Sequence, residues 1–220
     1  MFHVNPLVFP GVYAPQDDTA LLTDALAAEP LRRGARVLDV GTGSGALALA
    51  AARRGTRVTA VDVSRRAVCT TRLNTWLAGR RVRVLRGNLF RPVAGESFDL
   101  ILTNPPYVPA PAAEREPRGT ARAWDAGRDG RMVLDRICRD APALLAPGGV
   151  LLMVHSVLSG PHSTVGRLRE AGLKAAVVER RWIAFGPVLR ARQTWLRAQG
   201  LLSRTDEKEE LVVIRAERPH

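Results

Sequence analysis

The chain has 220 residues, of which 46% are hydrophobic and 25% charged, enough for one sizeable core and unlike a disordered or fibrous sequence. No apolar run is long enough to span a bilayer, and Met1-Phe2-His3-Val4-Asn5-Pro6 has neither a basic region nor a cleavable apolar core, so a cytoplasmic chain with no membrane partner is expected. The net charge of +12 comes almost wholly from arginine, since Lys174 and Lys208 are the only lysines; it reads equally as a solvated basic surface or as a footprint for an acidic or nucleic-acid-bound partner. Cys69 and Cys138 stand far apart in helix-like segments, so both are expected as reduced thiols. No Cys/His group has ligand spacing, and no metal is expected.

Along the chain, Asp17-Asp18-Thr19 is a helix-start signal, with Leu21, Leu22 and Leu26 making an apolar face. Strands and helices then alternate. A strand is predicted over Arg36–Val40, a helix over Ala46–Arg54, a strand over Arg57–Asp62, a helix over Arg65–Leu77 and a strand over Val82–Arg86. Phe98–Thr103 is the next strand, followed by a helix over Met132–Leu145 and a strand over Val150–His155. Short apolar runs without polar alternation fit strands buried on both faces. The order therefore predicts a doubly wound α/β sheet whose ligands sit at the carboxyl ends of the strands. Pro109 to Gly130, with Pro111 and Pro117 inside it, reads as a mobile loop. After an apolar stretch at Leu173–Glu179 come an arginine-rich amphipathic helix over Val188–Gln199, a polar stretch over Ser203–Glu210 and a last strand over Leu211–Arg215.

Asp39-Val40-Gly41-Thr42-Gly43-Ser44-Gly45 joins the first strand to the first helix of this alternation. Glycines there permit a tight turn and let a ligand approach the backbone. Gly41-x-Gly43-x-x-Ala46 also fits a dinucleotide fingerprint. Two details favour S-adenosylmethionine. Asp39 would meet the ammonium of a methionine moiety but would repel a pyrophosphate, and the motif after the Phe98–Thr103 strand has no role in hydride transfer. Asp62 ends the second strand about 20 residues later, where a carboxylate accepts ribose hydroxyls; a plain strand-end cap is the alternative. Gly87-Asn88-Leu89 follows the third strand, where an adenine would lie. There the Asn88 oxygen would accept from the adenine amino group, or Asn88 is a turn residue.

That motif is Asn104-Pro105-Pro106-Tyr107. Neither proline has an N–H, so the carbonyls of Asn104 and Pro105 face outward with no backbone donor nearby. The side-chain oxygen of Asn104 and the Pro105 carbonyl would accept the two hydrogens of an NH2 group, while Tyr107 offers a flat face. This suits methylation of a planar, weakly nucleophilic nitrogen, in an amide or a nucleobase, by positioning and electrostatics rather than by a dedicated base. His155 ends a strand and reads as structural, and His3, His162 and His220 sit in loops or at termini. A rigid turn is the competing reading of the motif.

Together these residues resemble the HemK/PrmC family, S-adenosylmethionine-dependent methyltransferases of a glutamine amide nitrogen in translation release factors. Asp39-x-Gly41-x-Gly43-x-Gly45 resembles the family's methionine-binding loop and Asn104-Pro105-Pro106-Tyr107 its glutamine-binding corner. Ala126-Gly127-Arg128-Asp129-Gly130-Arg131 resembles the glycine-aspartate-glycine segment that follows the corner. Tyr13-x-Pro15-x-x-Asp18-Thr19 resembles the short archaeal and eukaryotic branch, without a separate helical domain. The resemblance implies a Rossmann-like, seven-stranded class I methyltransferase sheet with helices on both faces. It also implies cofactor contacts at Thr19, Asp39, Gly41, Gly43, Gly45, Asp62, Asn88, Leu89 and Asn104. Substrate contacts fall at Asn104, Pro105, Pro106 and Tyr107, with Asn104, Pro105 and Tyr107 as the catalytic set. Residues 1–35 then form a helical cap contributing to the cofactor site, and 36–220 the methyltransferase domain with a helical insertion at about 186–209. A release-factor-like protein substrate and a small zinc-binding activator subunit are the partners implied. Asn88 stands where the family usually has aspartate, and Ala126 where it usually has glycine. The alternatives are an adenine or guanine amino methyltransferase, a small-molecule N-methyltransferase, and a scaffold that keeps only the fold.

Overall fold

The structure, a computed structural model, describes residues 6–111 and 124–220. His3, and the part of the expected Pro109–Gly130 loop that contains Pro117, lie outside the described residues. The first helix, α1, covers Asp17–Ala28, and the alternation then runs β1 (Arg36–Val40), α2 (Ala46–Arg53), β2 (Arg57–Asp62), α3 (Arg65–Leu77) and β3 (Val82–Arg86). It continues with β4 (Phe98–Thr103), α4 (Leu134–Asp140), β5 (Leu145–Ser156), α5 (Pro161–Glu170), β6 (Lys174–Ala184), α6 (Pro187–Ala198) and β7 (Lys208–Glu217).

Among the described residues, these strands form one seven-stranded sheet in the order β3-β2-β1-β4-β5-β7-β6. The pairs from β3 across to β5 are parallel, while β7 runs antiparallel to both β5 and β6. From β1 the chain winds outward through β2 to β3, then returns to the other side of β1 as β4 and winds the opposite way. Right-handed crossovers therefore place α2 and α4 on opposite faces of the sheet. α1 packs beside α2, and α5 beside α4. The sheet's centre is fully buried at Leu38, Leu100, Ile101, Leu151 and Leu152, as strands covered on both faces require. Among the described residues, no helix is long and apolar enough to cross a membrane.

Four elements differ from the sequence reading. The expected Met132–Leu145 helix ends at Asp140 and gives way to a 3-10 turn over Ala141–Leu144. Pro142 stands in its first turn, where the missing N–H breaks the α-helical ladder. β5 begins at Leu145 rather than Val150. Its register jumps from Phe98↔Leu145 to Leu100↔Val150, so Pro147-Gly148-Gly149 is looped out within the strand. β6 and β7 run well beyond Leu173–Glu179 and Leu211–Arg215. In the longer hairpin, charged residues such as Arg180 and Glu210 pair across the sheet edge at 3.1 Å. A charged, half-exposed edge strand has the hydropathy of a loop.

Candidate active site

The β1–β4 register sets the site. Val40 pairs with Thr103, so Gly41 and Asn104 leave the sheet side by side. A Cβ on Gly41 would lie 4.0 Å from the Asn104 carbonyl oxygen. The loop and the corner thus share one crevice, at the point where the sheet's winding reverses.

Asp39 is fully buried at the end of β1. The Thr42 hydroxyl and the Ala48 N–H donate to its Oδ2 at 2.6 and 3.0 Å, and Oδ1 has no partner. Burial pushes its carboxyl up to about 7 against the pull of those two donors. A buried orphan carboxylate oxygen beside a glycine turn fits an ammonium and rejects a phosphate. Asp62 accepts the Gly43 N–H at 3.0 Å and the Ser64 N–H at 2.8 Å, so it shapes the loop as well as ending β2. Burial raises its pKa too. Behind the loop, Thr71 donates to the Gly43 carbonyl at 3.0 Å. Gly45 has φ +84, and a Cβ there would stand 2.9 Å from Thr71 Cγ2. The Asn74 amide donates to the Ser44 and Leu7 carbonyls, both at 2.8 Å, and accepts the Leu7 N–H at 2.9 Å, tying the N-terminal segment across the loop.

α1 supplies the third wall. Asp18 Oδ2 accepts from the hydroxyls of Tyr13 at 2.8 Å and Tyr107 at 3.1 Å, and its Oδ1 accepts the Thr19 N–H at 2.5 Å. The Thr19 hydroxyl accepts from Asn104 Nδ2 at 3.3 Å. That contact orients the amide: its nitrogen is engaged, and its oxygen faces away. Among the hydrogen bonds of the described residues, none uses Asn104 Oδ1 or the Pro105 carbonyl. Pro105 and Tyr107 are buried, while Asn104 and Pro106 are half-exposed. Burial first, and Asp18 second, hold the hydroxyls of Tyr13 and Tyr107 protonated.

The corner is braced from outside. The Ser159 hydroxyl donates to the Tyr107 carbonyl at 2.6 Å. Gly130 has φ +71, and a Cβ there would come within 2.3 Å of that same carbonyl oxygen. Val108 pairs with the returning chain through Trp124 and Ala126. Arg192 of α6 binds both arms, donating to the Pro109 carbonyl at 3.1 Å and pairing with Asp125. Glu209, at the start of β7, is buried with Oε2 unpartnered; burial, partly opposed by Ser156 and reinforced by Asp18, pushes its carboxyl to about 7.

Of the residues singled out from sequence, Thr19, Asp39, Gly41, Gly43, Gly45, Asp62, Asn104, Pro105, Pro106 and Tyr107 belong to these walls. Asn88 and Leu89 lie on the turn after β3. Leu89 is the one non-glycine with positive φ, +49, among the described residues, and Asn88 Oδ1 accepts from Arg136 at 3.0 Å. The oxygen assigned to an adenine amino group is therefore already half used. His155 is fully buried against the Ser156 carbonyl, and burial lowers its pKa to about 4, so it is a neutral structural imidazole. Asn74, Ser159, Arg192 and Glu209 escaped the sequence reading. Each bonds or packs across a long stretch of chain, and its own neighbours carry no motif. Among the described residues, no group of His, Cys, Asp or Glu could hold a metal.

A sheet with this strand order and one reversed strand, a glycine turn after β1 and a carboxylate ending β2, defines a class I S-adenosylmethionine-dependent methyltransferase. Residues 6–116 match the family model for the methyltransferase small domain. A Methanocaldococcus jannaschii protein with the provisional name protein N5-glutamine methyltransferase is 33% identical over 177 residues, which are 80% of this chain and 88% of that one. A release factor glutamine methyltransferase of Gloeobacter violaceus is 39% identical over 172 residues, 73% of this chain but 59% of its own length. The chain thus spans about three fifths of that bacterial enzyme. The E. cuniculi Mtq2–Trm112 complex, responsible for methylation of the eRF1 translation termination factor, superposes with a TM-score of 0.68 at 25% identity, covering 94% of this chain and 99% of that one. The chain belongs to the methyltransferase small domain family and, within it, to the HemK/PrmC group of N5-glutamine methyltransferases.

Proposed function

We propose that this enzyme methylates the side-chain amide nitrogen of a glutamine in a cytoplasmic protein of the translation release factor kind. One observation carries the reading: Thr19 engages the nitrogen of Asn104, leaving Asn104 Oδ1 and the Pro105 carbonyl as two acceptors without donors. A primary amide has two N–H groups to give them. Bound S-adenosylmethionine supplies an electrophilic methyl carbon. Asp39 would hold its ammonium, Asp62 its ribose, and the Asn88-Leu89 turn its adenine; Gly41, Gly43 and Gly45 let it lie on the backbone. Thr19 fixes Asn104 from the side of α1, so the described part of the segment before β1 serves as a cap over the crevice.

An amide nitrogen is a poor nucleophile because its lone pair is delocalised. Two acceptors on its hydrogens return electron density to it and fix its direction, and the buried Tyr107 ring limits how the group can tilt. Among the described residues, no carboxylate or imidazole hydrogen-bonds to Asn104 or the Pro105 carbonyl, so none is placed there as a base to take the proton. Asp18 is occupied by Tyr13, Tyr107 and Thr19, and His155 faces the Ser156 carbonyl. None is required, because the nitrogen becomes strongly acidic once methylated and releases its proton to water. That the E. cuniculi relative forms a complex with Trm112 supports a partner subunit here, of the small zinc-binding activator kind that the family resemblance implies.

Labelled methyl transfer into lysate, with and without nuclease, tests the reading. Label should survive nuclease, run as a protein of release-factor size and appear as N5-methylglutamine on hydrolysis. Label lost to nuclease would sink it.

A further inference from the structure

A groove lies away from this crevice, at the amino ends of β1, β2 and β3. It encloses about 700 Å³. Arg36 and Arg57 open β1 and β2, Arg83 lies on β3, Arg72 on α3, and Arg80 and Arg81 on the turn between them; all six line the groove, against one carboxylate, Glu96. Glu96 is already spent on Arg83 at 2.9 Å, and Arg72 donates to the Val84 carbonyl at 3.0 Å. Among the described residues, the guanidinium groups of Arg36, Arg57, Arg80 and Arg81 have neither an ion-pair nor a hydrogen-bond partner. Trp76 stands over the same groove with 74% of its surface exposed.

Unpaired like charges crowded into one concavity repel each other unless an anion comes between them. The residue types say which anion. Protein–protein interfaces also draw on arginine and tryptophan, but four unpaired guanidinium groups against one spent carboxylate ask for an occupant that carries several negative charges. They are a good match for phosphates at regular spacing, and an exposed indole beside them is a stacking platform for any base. We infer that this groove binds a single-stranded polynucleotide, its phosphates on Arg36, Arg57, Arg80 and Arg81 and one base on Trp76. The groove opens at the end of the strands opposite Asn104, so an occupant there is a tether and not the methyl acceptor. This inference stands independently of the glutamine reading.

Fluorescence anisotropy with labelled U12 and dT12 tests it, using the whole chain across a salt series. Four neutralised phosphates predict a slope of about −3 for log affinity against log salt. The triple variant Arg57→Glu, Arg80→Glu, Arg81→Glu should weaken binding at least about 50-fold and flatten the slope. Trp76→Ala should cost about tenfold. Titration of S-adenosylmethionine into each variant confirms that the fold is intact. Either oligonucleotide bound in this manner supports the groove as a phosphodiester site. A flat salt dependence, undiminished binding by a correctly folded triple variant, or equal competition by polyglutamate would overturn it, the last by showing a site for an acidic protein.

Discussion

In the proposed mechanism Asn104 holds the acceptor and Asp39 the cofactor, and what sets each lies outside its own motif. The Thr19 hydroxyl decides which end of the Asn104 amide faces the acceptor, and burial decides the charge of Asp39. The second has a pH consequence. The Asp39 carboxyl is raised from 3.8 to about 7 in the cofactor-free protein, so the folded state holds its proton more tightly than the unfolded chain does. Its contribution to stability is therefore most favourable below the unfolded value and declines as pH rises from about 4 to about 7. An ammonium requires the ionised form. Cofactor affinity should rise with pH up to about 7 and level off above, with proton release on binding below that point. Calorimetry in two buffers of different ionisation enthalpy reads this directly, and Asp39→Asn should bind weakly with no such pH dependence. Gly130 gives a steric test. With φ +71 and the Tyr107 carbonyl oxygen 2.3 Å from where a Cβ would lie, Gly130→Ala should displace the corner and reduce methyl transfer at least about tenfold while cofactor affinity holds.

α6 is the element whose place in the family pattern was unaccounted for, and the structure sets it against the corner. Arg192 joins the chain leaving the corner at Pro109 to the chain returning at Asp125, both sides being only about a fifth exposed. Arg192→Ala and Asp125→Asn should each raise KM for the protein substrate about three- to tenfold, with kcat and cofactor affinity little changed. Steady-state kinetics on the purified variants separates that from a general loss of fold. The α6 helix was legible in the sequence because its apolar positions recur at helical spacing. Its contact with Asp125 was not, since nothing local encodes a pairing across 67 residues. Likewise β1, β2 and β4 could be read to the residue because their central positions are mostly apolar and buried on both faces, and β3 because Val82, Val84 and Leu85 form a short apolar set although only Val84 is buried. β6 was read short because Glu179, Arg180 and Arg181 sit on the edge strand, where hydropathy does not distinguish strand from loop, and β7 because it opens on the charged run Lys208-Glu209-Glu210.

For the whole molecule, the winding reversal between β1 and β4 brings the glycine loop and the Asn104 corner into one crevice, and α1 closes it through Asp18 and Thr19. Cofactor binding should therefore stabilise the entire domain, by about 2.7 kcal/mol at a hundredfold excess over Kd, seen as a rise in Tm. Leu151→Ala, fully buried in β5, should cost about 2–5 kcal/mol and lower Tm without changing the pH behaviour of cofactor binding. The most direct test of how the acceptor is held is Asn104→Ala, with S-adenosylmethionine affinity by calorimetry and single-turnover methyl transfer to the release factor measured side by side. Methyl transfer should fall at least about 100-fold while cofactor affinity stays within about threefold. Transfer that remains close to wild type would contradict the assignment of Asn104 Oδ1 and the Pro105 carbonyl as the groups that hold the glutamine amide.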